Sequence, residues 1–282
     1  MLLALVDVSE AGALETNRID FGPTLLERYS AYFDVVREPS DHSNPYFPFF
    51  HLRSDGFWHL VPLPGREAVL AALPSARSHG DVLENVAYVQ LDPELYELLQ
   101  DPMARDSIRA AIVARWFADK TPHLLPLMNQ LRLESQYEHE LRDESSDDHV
   151  AETVPDAIRS SAFRRLILDI YDYRCAASGW RLLIPGGSAL VEAAHIIPFN
   201  ESRNDDPRNG IALMPTFHRA FDAGLIAPGL DLKWQVSTIF DERLPENQPL
   251  LSLNGKDVLV PAGLYTPSRK GLEWRLDRLR KE

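Results

Sequence analysis

The chain has 282 residues, 45% hydrophobic and 25% charged, a mixture that excludes disordered, collagen-like and coiled-coil classes and, at roughly 100 to 200 residues per domain, predicts two domains. One cysteine, Cys175, excludes disulfides and multi-cysteine zinc sites, and no apolar run reaches the ~18 residues of a membrane span. The start MLLALVDVSEAG lacks a basic leader, which places the chain in the cytoplasm. The formal net charge of −13 argues against a polyanionic partner until it is divided: residues 1–133 carry −7, residues 134–156 carry −8 and residues 157–282 carry +2.

The acidic segment 134–156, ESQYEHELRDESSDDHVAETVPD, lacks apolar periodicity and reads as a solvated linker between a first domain at 1–133 and a second at 157–282. Along the first domain, Leu2–Val6 is an apolar run and residues 24–33 have helical spacing. The stretch 42–64 reads as a loop entering a strand, a turn at Ser54-Asp55-Gly56 and a second strand from Phe57. Helices are expected at 91–99 and 104–117, the former opened by Asp92-Pro93. In the second domain a helix at 157–173, a Gly186-Gly187 turn, a strand at 190–197, a polar loop at 198–208, a short apolar segment at 209–214, and a helix at 216–223 stopped by Gly224 follow in order. A further strand at 231–237 and a basic amphipathic helix near the end complete it. The fold class expected is α+β in two domains, the first a mixed α/β module.

Three blocks carry the chemistry: Ala193-Ala194-His195-Ile196-Ile197-Pro198, then Asp205-Asp206-Pro207-Arg208-Asn209-Gly210, then His218-Arg219-Ala220-Phe221-Asp222. A strand, a loop, a strand and a helix would bring His195, Asn209 and His218 together. The arrangement resembles the HNH, or ββα-metal, nucleases, in particular the bacterial restriction-type branch, over about residues 163–225. The resemblance implies a DNA endonuclease that hydrolyses phosphodiester bonds, with His195 as general base, His218 as metal ligand, and Asn209 either ligating the metal or pinning the loop that carries the base. Imidazole suits the base role because its proton exchange falls near neutral pH. Asp222, one helical turn after His218, is a candidate second ligand, and Asp205 or Asp206 a substitute from the loop. Ala194 stands where many members have a ligand, and Glu192, three residues upstream of His195, is expected on the opposite strand face. Oxygen and imidazole donors suit Mg²⁺ or Mn²⁺, and with Cys175 alone no structural zinc is expected. Arg208 is a candidate phosphate contact.

The segment Tyr46-Phe47-Pro48-Phe49-Phe50-His51-Leu52, followed by Asp55-Gly56-Phe57-Trp58, resembles the sulfur-binding domain of phosphorothioate-dependent type IV restriction enzymes. Carried over, Phe47, Pro48 and His51 line an apolar sulfur pocket, with His42, Arg53 and Arg37 as nearby backbone contacts. Sulfur is larger and less well hydrated than oxygen, so an apolar pocket selects it. The expected partner is double-stranded, phosphorothioate-modified DNA, with no membrane partner and a homodimer to make two cuts. Two rival readings stand beside it: an HNH nuclease or nickase whose front half reads unmodified or methylated DNA or a protein, and a non-catalytic DNA-binding module.

Overall fold

The computed structural model describes residues 1–143, 154–184, 187–261 and 263–281. The chain divides into two compact units, the first comprising Met1–His139 and Ile184–Ser188, the second Glu140–Leu183 and Ala189–Glu282. The fold is mixed α/β. None of the described helices is long and apolar enough to cross a membrane.

The first unit runs α1 (Leu2–Glu10), α2 (Pro23–Val36), α3 (Tyr46–His51), β1 (Trp58–Pro62), α4 (Glu67–Ala72), α5 (His79–Leu83), β2 (Val86–Leu91), α6 (Pro93–Gln100), α7 (Pro102–Trp116) and α8 (Thr121–Asp143). β1 and β2 pair antiparallel with Trp58 opposite Leu91, and Trp58, Phe49, Phe50 and Val89 are fully buried in one core with Leu5, Leu25 and Leu99. Pro93 and Pro102 open α6 and α7, where the missing N–H costs nothing, and Asp101 caps α7 by accepting from Ala104 N at 2.9 Å.

The segment 46–51 is a helix, not the approach to a strand. Its aromatic residues favour strands locally, but Pro48 sits in the first turn, where a proline is tolerated, and Phe49 and Phe50 together enter the core. Gly56, left-handed at φ +84°, then turns the chain into β1. The segment expected to be a solvated linker also differs: residues 134–143 continue α8, and Glu134, Ser135, Tyr137, Glu138 and Leu141 are buried. The physical reason is non-local, because Glu138 accepts from Arg28 Nη2 at 2.7 Å and both side chains are almost fully buried. Residues 144–153 of that segment lie outside the described residues, as does Gly186 of the expected turn.

The second unit contains α9 (Asp156–Ile170), β3 (Glu192–His195), α10 (Phe199–Ser202), β4 (Gly210–Leu213), α11 (Pro215–Asp222), β5 (Ile226–Pro228), β6 (Trp234–Val236), α12 (Gln248–Leu251) and α13 (Arg269–Asp277). β3 and β4 pair antiparallel with Glu192 opposite Leu213 and His195 opposite Gly210. Beneath them Phe163, Ile167, Val191, Ala194, Ile211, Leu213 and Phe221 form the core. Gly210 is required by this close packing: a Cβ there would lie 2.1 Å from Ile167 Cδ1. α11 ends at Gly224, left-handed at φ +67°, as its sequence position predicts. Cys175 is buried, and its thiol accepts from Met214 N at 3.3 Å, so a backbone hydrogen bond ties this turn to the end of β4.

Candidate active site

His195 ends β3 with its ring stacked flat on Phe163 of α9, centroids 3.9 Å apart and 5° from parallel. Its Nε2 lies 2.7 Å from Asp205 Oδ1, and Asp205, fully buried, takes Arg159 Nη1 at 2.9 Å on each oxygen. Arg159 in turn lies 3.4 Å over the Phe199 ring. A buried carboxylate held by a cation therefore grips one side of the imidazole and leaves Nδ1 as the other working nitrogen.

Asn209 explains why the loop returns to this point. Its Oδ1 accepts from Ile197 N at 2.8 Å, and its Nδ2 donates to the carbonyls of Ile197 and Asn204, both at 3.0 Å. All three bonds go to loop backbone beside His195. Arg208 turns its guanidinium onto Asp206, with Nε at 3.0 and 3.1 Å and Nη2 at 2.6 Å, so the expected phosphate contact is engaged by a neighbouring carboxylate.

A residue missed in sequence completes the scaffold. Arg275 of α13 is 3% exposed and donates to Ile196 O, Phe221 O and His195 O at 3.0, 3.2 and 3.1 Å, bracing the end of β3 against the end of α11. Burial lowers its pKa to about 10. Its only sequence signal was the basic, amphipathic terminal helix, which reads equally as a solvated face.

His218 of α11 forms a second centre. Its Nδ1 lies 2.7 Å from Glu192 Oε2 and its Nε2 3.3 Å from Asp222 Oδ2. The strand alternation holds, since Glu192 serves a different histidine from His195; what the sequence did not reveal is that α11 lies within reach of Glu192. Glu192 and Asp222 are each more than half exposed. Among the described residues no three His, Cys, Asp or Glu side chains converge as a ready metal cage. His218 with Asp222 offers one nitrogen and one carboxylate on an open edge, a donor set that fits a cation retaining much of its water, as Mg²⁺ does.

In the first unit α3 divides its aromatic residues. Phe49 and Phe50 are buried, while Phe47 is 53% exposed and meets the His51 ring at a centroid distance of 4.3 Å. His51 Nε2 lies 2.9 Å from Ser75 Oγ. Pro48 lines an apolar cavity of about 920 Å³ shared with Tyr29, Tyr32, Phe57 and Trp116. Phe47 and His51 are thus brought together, and Pro48 adjoins them in sequence on the cavity wall. Arg53, expected at the DNA backbone, instead donates to Leu70 O and Leu73 O at 3.4 and 2.7 Å and lies 4.0 Å over Phe50. Its flat guanidinium reaches two carbonyls at the end of α4, of which Leu70 O also accepts from Leu73 N. His42 is exposed, and Arg37 pairs loosely with Asp34 at 3.5 Å.

Residues 175–227 match the family model of the HNH endonucleases, and residues 25–136 match that of the ScoMcrA-like DNA sulfur-binding domain. No curated protein matches the chain. A solved structure of a "Modification dependent TagI restriction endonuclease" is similar at 19% identity and a TM-score of 0.35, over 46% of this chain and 40% of that one. Glu192, His195, Asp205, Asn209, His218 and Asp222 lie inside the first match; Arg159, Phe163 and Arg275, which pack around His195 and its carboxylate, lie outside it.

Proposed function

We propose that this chain, which carries an HNH endonuclease module behind a DNA sulfur-binding module, is a metal-dependent DNA endonuclease of a restriction system that cuts phosphorothioate-modified DNA. Residues 1–133 read the modification and residues 157–282 cut. The observation that carries the catalytic part is the His195–Asp205 contact of 2.7 Å: a base held in one orientation by a buried carboxylate that Arg159 holds in turn.

In this reading His195 Nδ1 takes the proton of the attacking water, the P–O3′ bond breaks, and the product keeps a 5′-phosphate. Asp205 holds the ring and offsets the charge of the imidazolium. His218 and Asp222 would hold a divalent cation, which when bound would supply charge neutralisation at the phosphate and leaving oxygen. Asn209 and Arg275 hold the chain on either side of the base. Phe47 and His51 present the apolar surface that prefers sulfur to oxygen, and Arg37 and His42 are the nearby hydrogen-bond donors for the DNA backbone. A second copy of the chain would make the second cut of a duplex.

Matched phosphorothioated and unmodified plasmids, incubated with the protein and Mn²⁺, test this. Cleavage of the modified plasmid alone is expected. Cleavage of both assigns the front half another specificity, and binding without cleavage of either reduces the second unit to a DNA-binding module.

A further inference from the structure

We propose that Glu192 is the positioning residue of His218, fixing which ring nitrogen is free to hold a metal ion. The inference rests on the reading of His218 and Asp222 as the cation site.

A neutral imidazole carries one N–H and one lone pair, and only the lone pair binds a metal. The two nitrogens of His218 face different carboxylates, Nδ1 toward Glu192 at 2.7 Å and Nε2 toward Asp222 at 3.3 Å. The shorter contact is a hydrogen bond, which an ionised carboxylate can only accept, so Nδ1 is the donor there, and a neutral ring keeps its lone pair on Nε2. The longer contact is a separation that two donors, each about 2.0–2.2 Å from one cation, can span. The carboxylate, imidazole and cation then stand in line, an arrangement in which the outer carboxylate sets the ligand's tautomer and orientation.

The backbone explains why Glu192 can do this. It opens β3, paired across to Leu213, and the chain needs only Met214 before α11 begins at Pro215, so strand and helix are held within reach of one side chain. Ala194 next to the base carries no donor, and the carboxylate two residues earlier acts through the helix histidine instead.

Long-range ¹H–¹⁵N spectra of the metal-free protein, together with Mn²⁺ titration followed by electron paramagnetic resonance, provide the test. The native protein is expected to hold His218 as the Nδ1–H tautomer. Glu192→Ala should release that preference and weaken Mn²⁺ binding about 10- to 100-fold. Glu192→Gln, which keeps an oxygen able to accept from Nδ1, should restore the tautomer and most of the affinity. Glu273→Gln, altering a surface carboxylate of α13, should change neither. An unchanged tautomer in Glu192→Ala, or unchanged Mn²⁺ affinity, overturns the proposal; so does a Gln variant as weak as Ala, which would make Glu192 a ligand by charge. If His218→Ala binds Mn²⁺ like the native protein, the cation site itself is misassigned, and the metal-free spectra still decide the role of Glu192.

Discussion

Two histidines in the second unit each meet a carboxylate at 2.7 Å, in surroundings that differ sharply. Around His195 the partners are enclosed: Asp205 is 0% and Arg159 10% exposed by side chain, and the ring is stacked on Phe163. Around His218 the carboxylates are open, Glu192 at 51% and Asp222 at 58%. Under the proposed roles, enclosure would fix a ring that must meet a water molecule in one orientation, and openness would leave room for a cation to keep its waters and to take a phosphate oxygen. The carboxylates are also exchanged between elements, the loop serving the strand histidine and the strand serving the helix histidine.

The sharpest way to separate the two centres is His195→Ala. Cleavage should fall by about 10²- to 10⁴-fold while Mn²⁺ and DNA binding are kept, as read by plasmid nicking beside a binding titration. Cleavage that survives would remove His195 as the base, and metal binding lost with cleavage would merge the two centres into one.

Stability should divide them next. Asp205→Ala removes the buried carboxylate that holds Arg159, leaving that cation the looser 3.6 Å contact with exposed Asp156, and should cost about 3–5 kcal/mol in urea unfolding. Glu192→Ala removes a half-exposed carboxylate and should stay within about 0.5 kcal/mol. Equal losses would mean that burial is not what distinguishes the pairs.

A histidine without any carboxylate sets the baseline and gives the smallest effect. His79 of the first unit lies between Phe21 and Tyr46, centroids 5.5 and 5.4 Å away, and its buried Nε2 has no hydrogen-bond partner among the described residues. Burial lowers its pKa below the ordinary 6.5. As pH falls through that ordinary value the unfolded chain takes up a proton that the folded ring still refuses, so stability declines until the folded ring is also protonated. His79→Phe should flatten this slope between pH 7 and 5, measured by urea unfolding at each pH. An unaltered slope would place the acid sensitivity elsewhere.

Much of the second unit was legible because its signals are local. The strand around His195, the Asn209-Gly210 return and the helix stopped by Gly224 follow from alternation, turn chemistry and a left-handed glycine. Two stretches of the first unit were not legible. Aromatic residues at 46–50 favour strands by propensity, and only a core able to take Phe49 and Phe50 from a helix decided otherwise. The charged run at 134–143 reads as solvated because nothing near it in sequence reveals Arg28, 110 residues from Glu138. The same limit hid Arg275, whose three carbonyl partners lie 54 to 80 residues away.

By itself the sequence determined the elements around the three histidine- and asparagine-bearing blocks and the presence of two modules, because each is written in residues close enough to sense one another along the chain. The tertiary structure alone decided which carboxylate faces which histidine, which arginines are spent as internal braces, and that half of an acidic run is buried. A charge finds its partner across space, and short-range patterns carry no record of what the fold will bring beside it.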